Sequence, residues 1–368
     1  MIVVAKVGTS SITGPAGEIA QAAVAKLCLE AVGLRDAGHR VVLVTSGAIA
    51  AGLAPLGLAH ARPTDLATLQ AISAVGQSRL MATYDAALTA LGAVGGQVLL
   101  APLDFIHRQQ YLHARQTLAR LLDLGVVPVV NENDAVANDE IRFGDNDRLA
   151  ALVANLVNAE LLVLLTDTTG LLTGDPRLDA GASLIEEVIE VDRQLEAAAG
   201  GAGTLGGSGG MASKLAAAKM AAWSGIRTVI AAATRPGVLA QAVAGEPGVG
   251  TVVRPRAERL SARKCWIAFA VASSGTVVVD QGARRALVEG GRSLLPAGVV
   301  EVRETFAAED AVEICDPSGV VFAKGLVSHS SALLAQWAGR RTSELPAGVN
   351  PEVVHRDDLV VLAGPGVA

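Results

Sequence analysis

Residues 125–134 read GVVPVVNEND, a short aliphatic run that breaks into four consecutive acids and amides. The run is too short for a buried helix and rich in β-branched Val, so it reads as a strand covered on both faces. Beyond it, ten of the seventeen residues in 131–147, NENDAVANDEIRFGDND, are Asn, Asp or Glu, although the chain as a whole is 51% hydrophobic. Comparable aliphatic runs recur at 2–7 (IVVAKV), 41–46 (VVLVTS), 97–101 (QVLLA) and 161–167 (LLVLLTD). Segments with helical character separate them, at 18–38, 64–92, 107–123 and after GDND. This alternation predicts an α/β fold with a mostly parallel central sheet between helical layers. Ligands of such sheets bind outside the carboxyl ends of the strands. Four of those ends are polar here: GTS (8–10), TSG (45–47), NEND (131–134) and TD (166–167). Ser, Thr, Asn and Asp are also ordinary caps and turn formers, but four such clusters on one edge favour a shared site.

With 368 residues the chain has room for about two domains. Its 3% aromatic and 18% charged residues suit aliphatic sheets under Ala-rich helices, not a disordered or disulfide-stapled chain. A net charge of −6 gives bulk nucleic acid or an anionic membrane no average attraction. Cys28, Cys265 and Cys315 are widely spaced and form no CxxC pair, as expected of inert thiols in a reducing compartment. The first residues, MIVVAKVGTS, read as a strand and not a signal peptide. The apolar stretch 149–165 is broken by Asn155, Asn158 and Glu160, so no membrane span is expected and a cytoplasmic protein is.

Lys6 lies inside the first strand pattern. It either emerges at the strand end or, if buried among Val, meets an anion such as a phosphate. Gly8 lets backbone approach that anion, and Thr9 and Ser10 add donors. Ser46, Gly47 and Ala48 open an Ala-rich helix whose free N–H groups would hold a phosphate or carboxylate, unless Ser46 is a plain cap. The stretch 200–214, GGAGTLGGSGGMASK, contains a literal GxGxxG. A helical segment precedes it where a dinucleotide fingerprint needs a strand. Two readings remain, an interdomain linker or a loop covering phosphates, and the helix MASKLAAAKMAAW with Lys214 in its first turn favours the second. There is no GxxxxGK[ST] loop and no kinase HRD and DFG pair. The six histidines read as structural, and nucleophile chemistry through Cys or Ser is not indicated. Near residue 254 the texture changes to RPRAERLSARKCW, read as a linker, and from about Gly275 shorter runs point to a small β-rich unit with one helix or two.

Taken together, VAKVGTS, VTSGAIAAG, AVGQSRL, PVVNENDAV, FGDND, LLTDTTGLLTGDPR and GGMASK resemble the glutamate-phosphorylating members of the amino acid kinase family. The pieces ARRALVEGGRSLLPAGV and VHRDDLV resemble a PUA domain. The resemblance implies a three-layer αβα sandwich over 1–256 and a PUA-like domain over 275–352. It also implies ATP-dependent, magnesium-assisted phosphorylation of the γ-carboxylate of L-glutamate, the first step of proline synthesis. By the same resemblance Lys6 and Lys214 are cations on the transferring phosphoryl group, and Asp147 orients both. Ser46, Gly47, Ala48, Asn131, Asp134, Asp145 and Asn146 form the substrate pocket, with Asp134 taking the α-ammonium. The nucleotide side comprises Gly8, Thr9, Thr166, Asp167 and Asp175, together with Ser208, Gly209, Gly210, Met211, Ala212, Ser213 and Lys214. Ser208 stands where the family commonly has Thr, which keeps the hydroxyl. Magnesium is expected on phosphate oxygens and water, with no dedicated protein cage. Feedback inhibition by proline near 134–145 and a homo-oligomer, dimer or tetramer, are further implications. PUA domains elsewhere bind RNA, but residues 275–368 hold eight Lys or Arg against twelve Asp or Glu, a poor phosphate-tracking surface.

Overall fold

A computed structural model describes residues 1–14, 17–58, 63–101, 103–136, 146–174, 181–199, 210–269, 271–346 and 348–362. The chain opens with β1 (Ile2–Val7), α1 (Thr9–Ile12), α2 (Gln21–Asp36), β2 (Arg40–Val44), α3 (Ala48–Leu53) and α4 (Leu66–Ala90). There follow β3 (Gly95–Leu100), α5 (Leu103–Ile106), α6 (Arg108–Asp123), β4 (Val127–Glu132), α7 (Asn146–Leu156) and β5 (Leu161–Thr166). Next come β6 (Glu187–Val188), α8 (Arg193–Ala199), α9 (Met211–Trp223), β7 (Arg227–Ala232), α10 (Val238–Ala244) and β8 (Thr251–Val253). These strands form one sheet in the order β3-β4-β2-β1-β5-β7-β8-β6. Every neighbouring pair is parallel except β7 with β8.

The decisive run 125–134 becomes β4 and its exit. A proline inside a central strand needs an explanation, since it has no N–H for the ladder. β2 pairs with β4 only at Leu43↔Val129 and Val44↔Val130, beyond Pro128. The missing donor therefore costs no ladder bond to β2. Alternation along β1 divides its side chains between the two sheet faces. Val3, Ala5 and Val7 join a core with Val24, Leu27, Leu43, Leu80, Tyr84, Val129, Val163 and Leu239, under α2, α3, α4 and α10. Val4 and Lys6 point to the opposite face, where α7 contacts β1, β4, β5 and α9. That register places an ammonium group under two helices, a consequence of one residue's parity.

Two expected boundaries shift. The helix read over 18–38 begins at Gln21, because the chain first makes a tight turn: Thr13 bridges to Ile19, Gly14 N–H donates to Glu18 O at 2.8 Å, and Gly17 sits at φ 82°. The helix read after GDND starts within it, at Asn146, where Asp147 occupies the first turn in favourable alignment with the helix dipole.

Met1–Arg259 form one compact unit and Leu260–Ala368 a second. The second contains α11 (Ala262–Phe269), β9 (Gly275–Val279), α12 (Gln281–Val288), β10 (Val299–Arg303) and β11 (Ala311–Cys315). It continues through β12 (Val321–Val327), α13 (Ser331–Trp337) and β13 (Val354–Val361). Its sheet runs β10-β9-β11-β12-β13, antiparallel except for β9 with β11, over a core that includes Phe306, Ile314, Phe322 and Trp337. Part of the stretch read as a linker is α11, which packs on β12 and β13 with Cys265, Trp266 and Ile267 buried. Apolar side chains in that basic segment outweigh its Pro and Arg. Among the described residues no helix is long and apolar enough to cross a membrane, and all three cysteines are buried free thiols.

Candidate active site

β1, β2, β4 and β5 are contiguous in the sheet, as β4-β2-β1-β5, and their carboxyl ends share one edge. From β1 the chain moves to β2 on one side, whereas from β5, on the other side of β1, it moves on to β6, β7 and β8. This reversal opens the crevice where such sheets take ligands.

Lys6, from β1, reaches Asp147 Oδ1 with its Nζ at 2.5 Å, and Lys214, from the first turn of α9, reaches Asp147 Oδ2 at 3.2 Å. Ser213 adds a hydroxyl bond to Oδ2 at 2.8 Å. All three charged side chains are at least 94% buried. Burial opposes ionisation of Asp147, yet the Lys6 and Lys214 ammonium groups overcome it and hold its carboxyl below the usual aspartate range. Two cations more than two hundred residues apart thus converge on one carboxylate. A Cβ at Gly8 would lie 3.8 Å from Lys6 Nζ, so any longer side chain there would grow over the ammonium, and glycine keeps that approach open to backbone and ligand alike. Among the described residues Gly210 precedes α9 with no side-chain cap, and a Cβ there would meet nothing within 4 Å. The first N–H groups of α9, ahead of the Lys214 N–H that bonds Gly210 O, face that end of the helix, where an anion beside Lys214 would be favoured.

Asn146, the residue before Asp147, faces a different group of partners. Its Nδ2 donates to Ser46 Oγ at 2.8 Å and to Asn131 Oδ1 at 3.2 Å. Asn131 in turn donates through Nδ2 to Gln77 Oε1 at 2.8 Å. Gly47 follows Ser46 at φ 96°, a left-handed conformation that glycine adopts without strain, and turns the chain into α3 at Ala48. Asp134 accepts a 2.5 Å bond from Ser73 Oγ. Burial pushes its carboxyl above the usual aspartate range, and the Ser73 bond partly offsets the rise. A cleft of ≈ 320 Å³ between α4, β3 and the exit of β4 is lined by Ser73, Gln77, Gln97, Leu99, Glu132 and Asp134.

Thr166 ends β5 buried and donates through Oγ1 to Asp167 Oδ1 at 3.0 Å, while Asp167 is exposed. Thr9 opens α1 in an exposed position, and Met211 and Ala212 begin α9, Met211 half-buried and Ala212 exposed. Asp145, Asp175, Ser208 and Gly209 lie outside the described residues. Among the described residues no group of three or more His, Cys, Asp or Glu is placed to hold a metal ion.

Sequence reasoning gave Ser73 and Gln77 no role in the site, although Gln77 falls within AVGQSRL, one of the pieces that carry the family resemblance. The signal in α4 was present: Ser73, Gly76, Gln77, Leu80 and Tyr84 recur at helical spacing along one buried stripe. The stripe reaches Asp134 through Ser73, Asn131 through Gln77 and Thr45 through Tyr84, the last at 2.9 Å. It also approaches α3 closely. A Cβ at Gly76 would stand 1.8 Å from Ala48 O, and one at Gly52 would stand 2.0 Å from Ile72 O. Only glycine fits at either crossing.

A mostly parallel sheet whose strand ends gather buried lysines, an aspartate and an amide-lined cleft defines an α/β protein that binds an anionic ligand beside a small polar one. Residues 1–232 match the model of the amino acid kinase family and residues 275–349 that of the PUA domain. A glutamate 5-kinase of Gloeobacter violaceus is 48% identical over 369 residues, covering 98% of this chain and 99% of its own. Those of Geobacter sp. (strain M21) and Moorella thermoacetica are 44% and 45% identical, each covering 98% of this chain and 97% and 96% of their own. The chain belongs to the amino acid kinase family.

Proposed function

We propose that this chain transfers the γ-phosphoryl group of ATP to the γ-carboxylate of L-glutamate, giving γ-glutamyl phosphate for proline synthesis. The convergence of Lys6 and Lys214 on Asp147 carries the reading, and the name of the relatives, glutamate 5-kinase, supports the substrate. The chemistry asks little of proton transfer. A γ-carboxylate of pKa about 4.3 is already ionised at neutral pH and attacks without a general base. Its obstacle is repulsion from the triphosphate, so catalysis consists of in-line positioning and charge neutralisation.

Lys6 and Lys214 neutralise the transferring phosphoryl oxygens, held in place by Asp147 with Ser213 beside it. Gly8, Thr9 and the N–H groups at the start of α9 give donors to the nucleotide, with Thr166 and Asp167 beside them. Asp175, Ser208 and Gly209 belong to this nucleotide side by position in the sequence, and Asp145 to the substrate pocket. Asp147 is spanned by two ammonium groups, a donor set that suits phosphate oxygens better than a metal. Magnesium, when bound, supplies charge neutralisation from the nucleotide, held by phosphate oxygens and water. Ser46, Gly47 and Ala48 receive the γ-carboxylate end, while Asp134, Asn131 and Asn146 receive the α end. Working in the cytoplasm, assembly as a dimer or tetramer, and inhibition by proline complete the proposal. For the PUA-matching unit, with its net charge of −4 over 275–368, a role in tuning or assembly fits better than RNA binding.

Trapping the acyl phosphate with hydroxylamine tests the reaction. With ATP, magnesium and glutamate the protein should form the hydroxamate, and aspartate and N-acetylglutamate should give far less. Absence of glutamate-dependent hydroxamate would overturn the proposal.

A further inference from the structure

Gln77 is at least nine-tenths buried, lines the cleft beside Asp134 and has no partner for its Nε2 among the described residues. Its other amide atom is committed, since Oε1 accepts from Asn131 at 2.8 Å. The chain of amides fixes which atom is left over. Asn146 gives its nitrogen to Ser46 and Asn131, Asn131 gives its nitrogen to Gln77, and each oxygen between them is an acceptor. Among the described residues two atoms have no partner at the ends of this relay: a donor, Gln77 Nε2, and an acceptor, Asn146 Oδ1. A buried amide nitrogen with no acceptor carries a desolvation cost that folding does not repay. A ligand that supplies an acceptor there would relieve it.

The substrate's orientation follows from the two clusters. The γ-carboxylate must approach the lysines that flank Asp147, which leaves the α-carbon at the Asp134 side of the cleft. Ammonium and α-carboxylate sit on that same carbon, so a group near Asp134 holds the first and a group close by must hold the second. We infer that Gln77 is the residue that recognises the substrate's α-carboxylate, donating from Nε2, while Asn146 Oδ1 joins Asp134 in accepting from the α-ammonium. This rests on the amino-acid substrate proposed above. It makes the relay a specificity device: a free amino acid with both α groups satisfies both leftover atoms, and a ligand lacking the α-carboxylate leaves Gln77 with its cost unrelieved.

The test compares two ligands that differ only in that carboxylate, glutamate and 4-aminobutyrate, in the full-length protein. Gln77→Glu keeps an oxygen for Asn131 to donate to and replaces the Nε2 donor by a second oxygen. Gln77→Met keeps the length, adds no charge and carries the same comparison where Gln77→Glu yields no folded protein. Hydroxamate formation by the parent protein with glutamate establishes the reaction first, so that its failure counts against the proposed function and not against Gln77. Given that activity, the variants should raise the KM for glutamate by about 10- to 100-fold, the loss expected of a charge-assisted hydrogen bond. The KM for ATP and the inhibition constant of 4-aminobutyrate against glutamate should stay near the parent values. Equal weakening of glutamate and 4-aminobutyrate would reduce Gln77 to a structural support. An unchanged KM for glutamate would remove it from the pocket.

Discussion

Two clusters meet at the first turn of α7, one residue apart, and they are made of opposite materials. Asp147 gathers buried charge from β1 and α9, whereas Asn146 gathers neutral hydroxyl and amide groups from the exit of β2, from β4 and, through Asn131, from α4. Coulomb attraction falls off slowly and is not very directional, which suits neutralising a phosphoryl group in motion. Amide hydrogen bonds demand distance and angle, which suits telling one small ligand from another. On the proposed roles, the difference divides the site's work: catalytic force on the α7–α9 side and selectivity on the α4 side, coupled through adjacent backbone.

The largest effects should break the charged side. Lys6→Ala and Lys214→Ala should each lower kcat by about 10³-fold with circular dichroism unchanged, since removing one charge-stabilising donor commonly costs that much. Near-parent turnover would exclude the lysine concerned. Asp147→Asn removes the carboxylate that two buried ammonium groups share, and should cost about 3–5 kcal/mol of stability in urea unfolding. Because the folded-state pKa of Asp147 is depressed, its contribution is complete above the unfolded carboxylate's pKa and is lost as pH falls through the folded value. The gap between parent and variant should therefore persist at neutral pH and close only in strong acid.

Smaller effects should sharpen the amide side. Gly76→Ala must force α4 from α3, because its Cβ would stand 1.8 Å from Ala48 O. A loss of about 1–3 kcal/mol is expected, with the KM for glutamate rising more than that for ATP. Asp134 has the opposite sign to Asp147. Its folded-state pKa is raised, so the ionised form is held at a cost once pH exceeds the unfolded value. Asp134→Asn should raise Tm at neutral pH while weakening glutamate, and a lowered Tm would contradict the burial argument. Ser73→Ala should give the least change, moving the acid limb of glutamate binding to higher pH by removing the bond that partly offsets the burial.

Much of the charged side was legible in the chain. Lys6 in a run of Val, a glycine-rich lead into MASK, and GDND each carried a local signal, and the parity of β1 put Lys6 on the face that α7 and α9 cover. The sheet was legible for the same reason, since uninterrupted aliphatic runs allow few alternatives. The amide side was only half legible. Asn131 and Asp134 stood out in NEND, but Ser73 and Gln77 are common helix residues whose meaning depends on which helix crosses which strand end. The close approach that brings them in rests on Gly52 and Gly76, and a glycine in a helix pattern does not say what backbone it admits. The segment RPRAERLSARKCW misled in the other direction, its basic residues masking the apolar face that makes α11.

The division between the clusters is tested most directly by calorimetric titration of Lys214→Ala and Asn146→Ala, each with magnesium nucleotide and with glutamate separately. The expected result is a crossed pattern, in which Lys214→Ala weakens nucleotide and spares glutamate while Asn146→Ala does the reverse. If each substitution weakens both ligands equally, or Asn146→Ala leaves glutamate binding intact, the two sides of α7 do not divide the work and the proposed site is wrong.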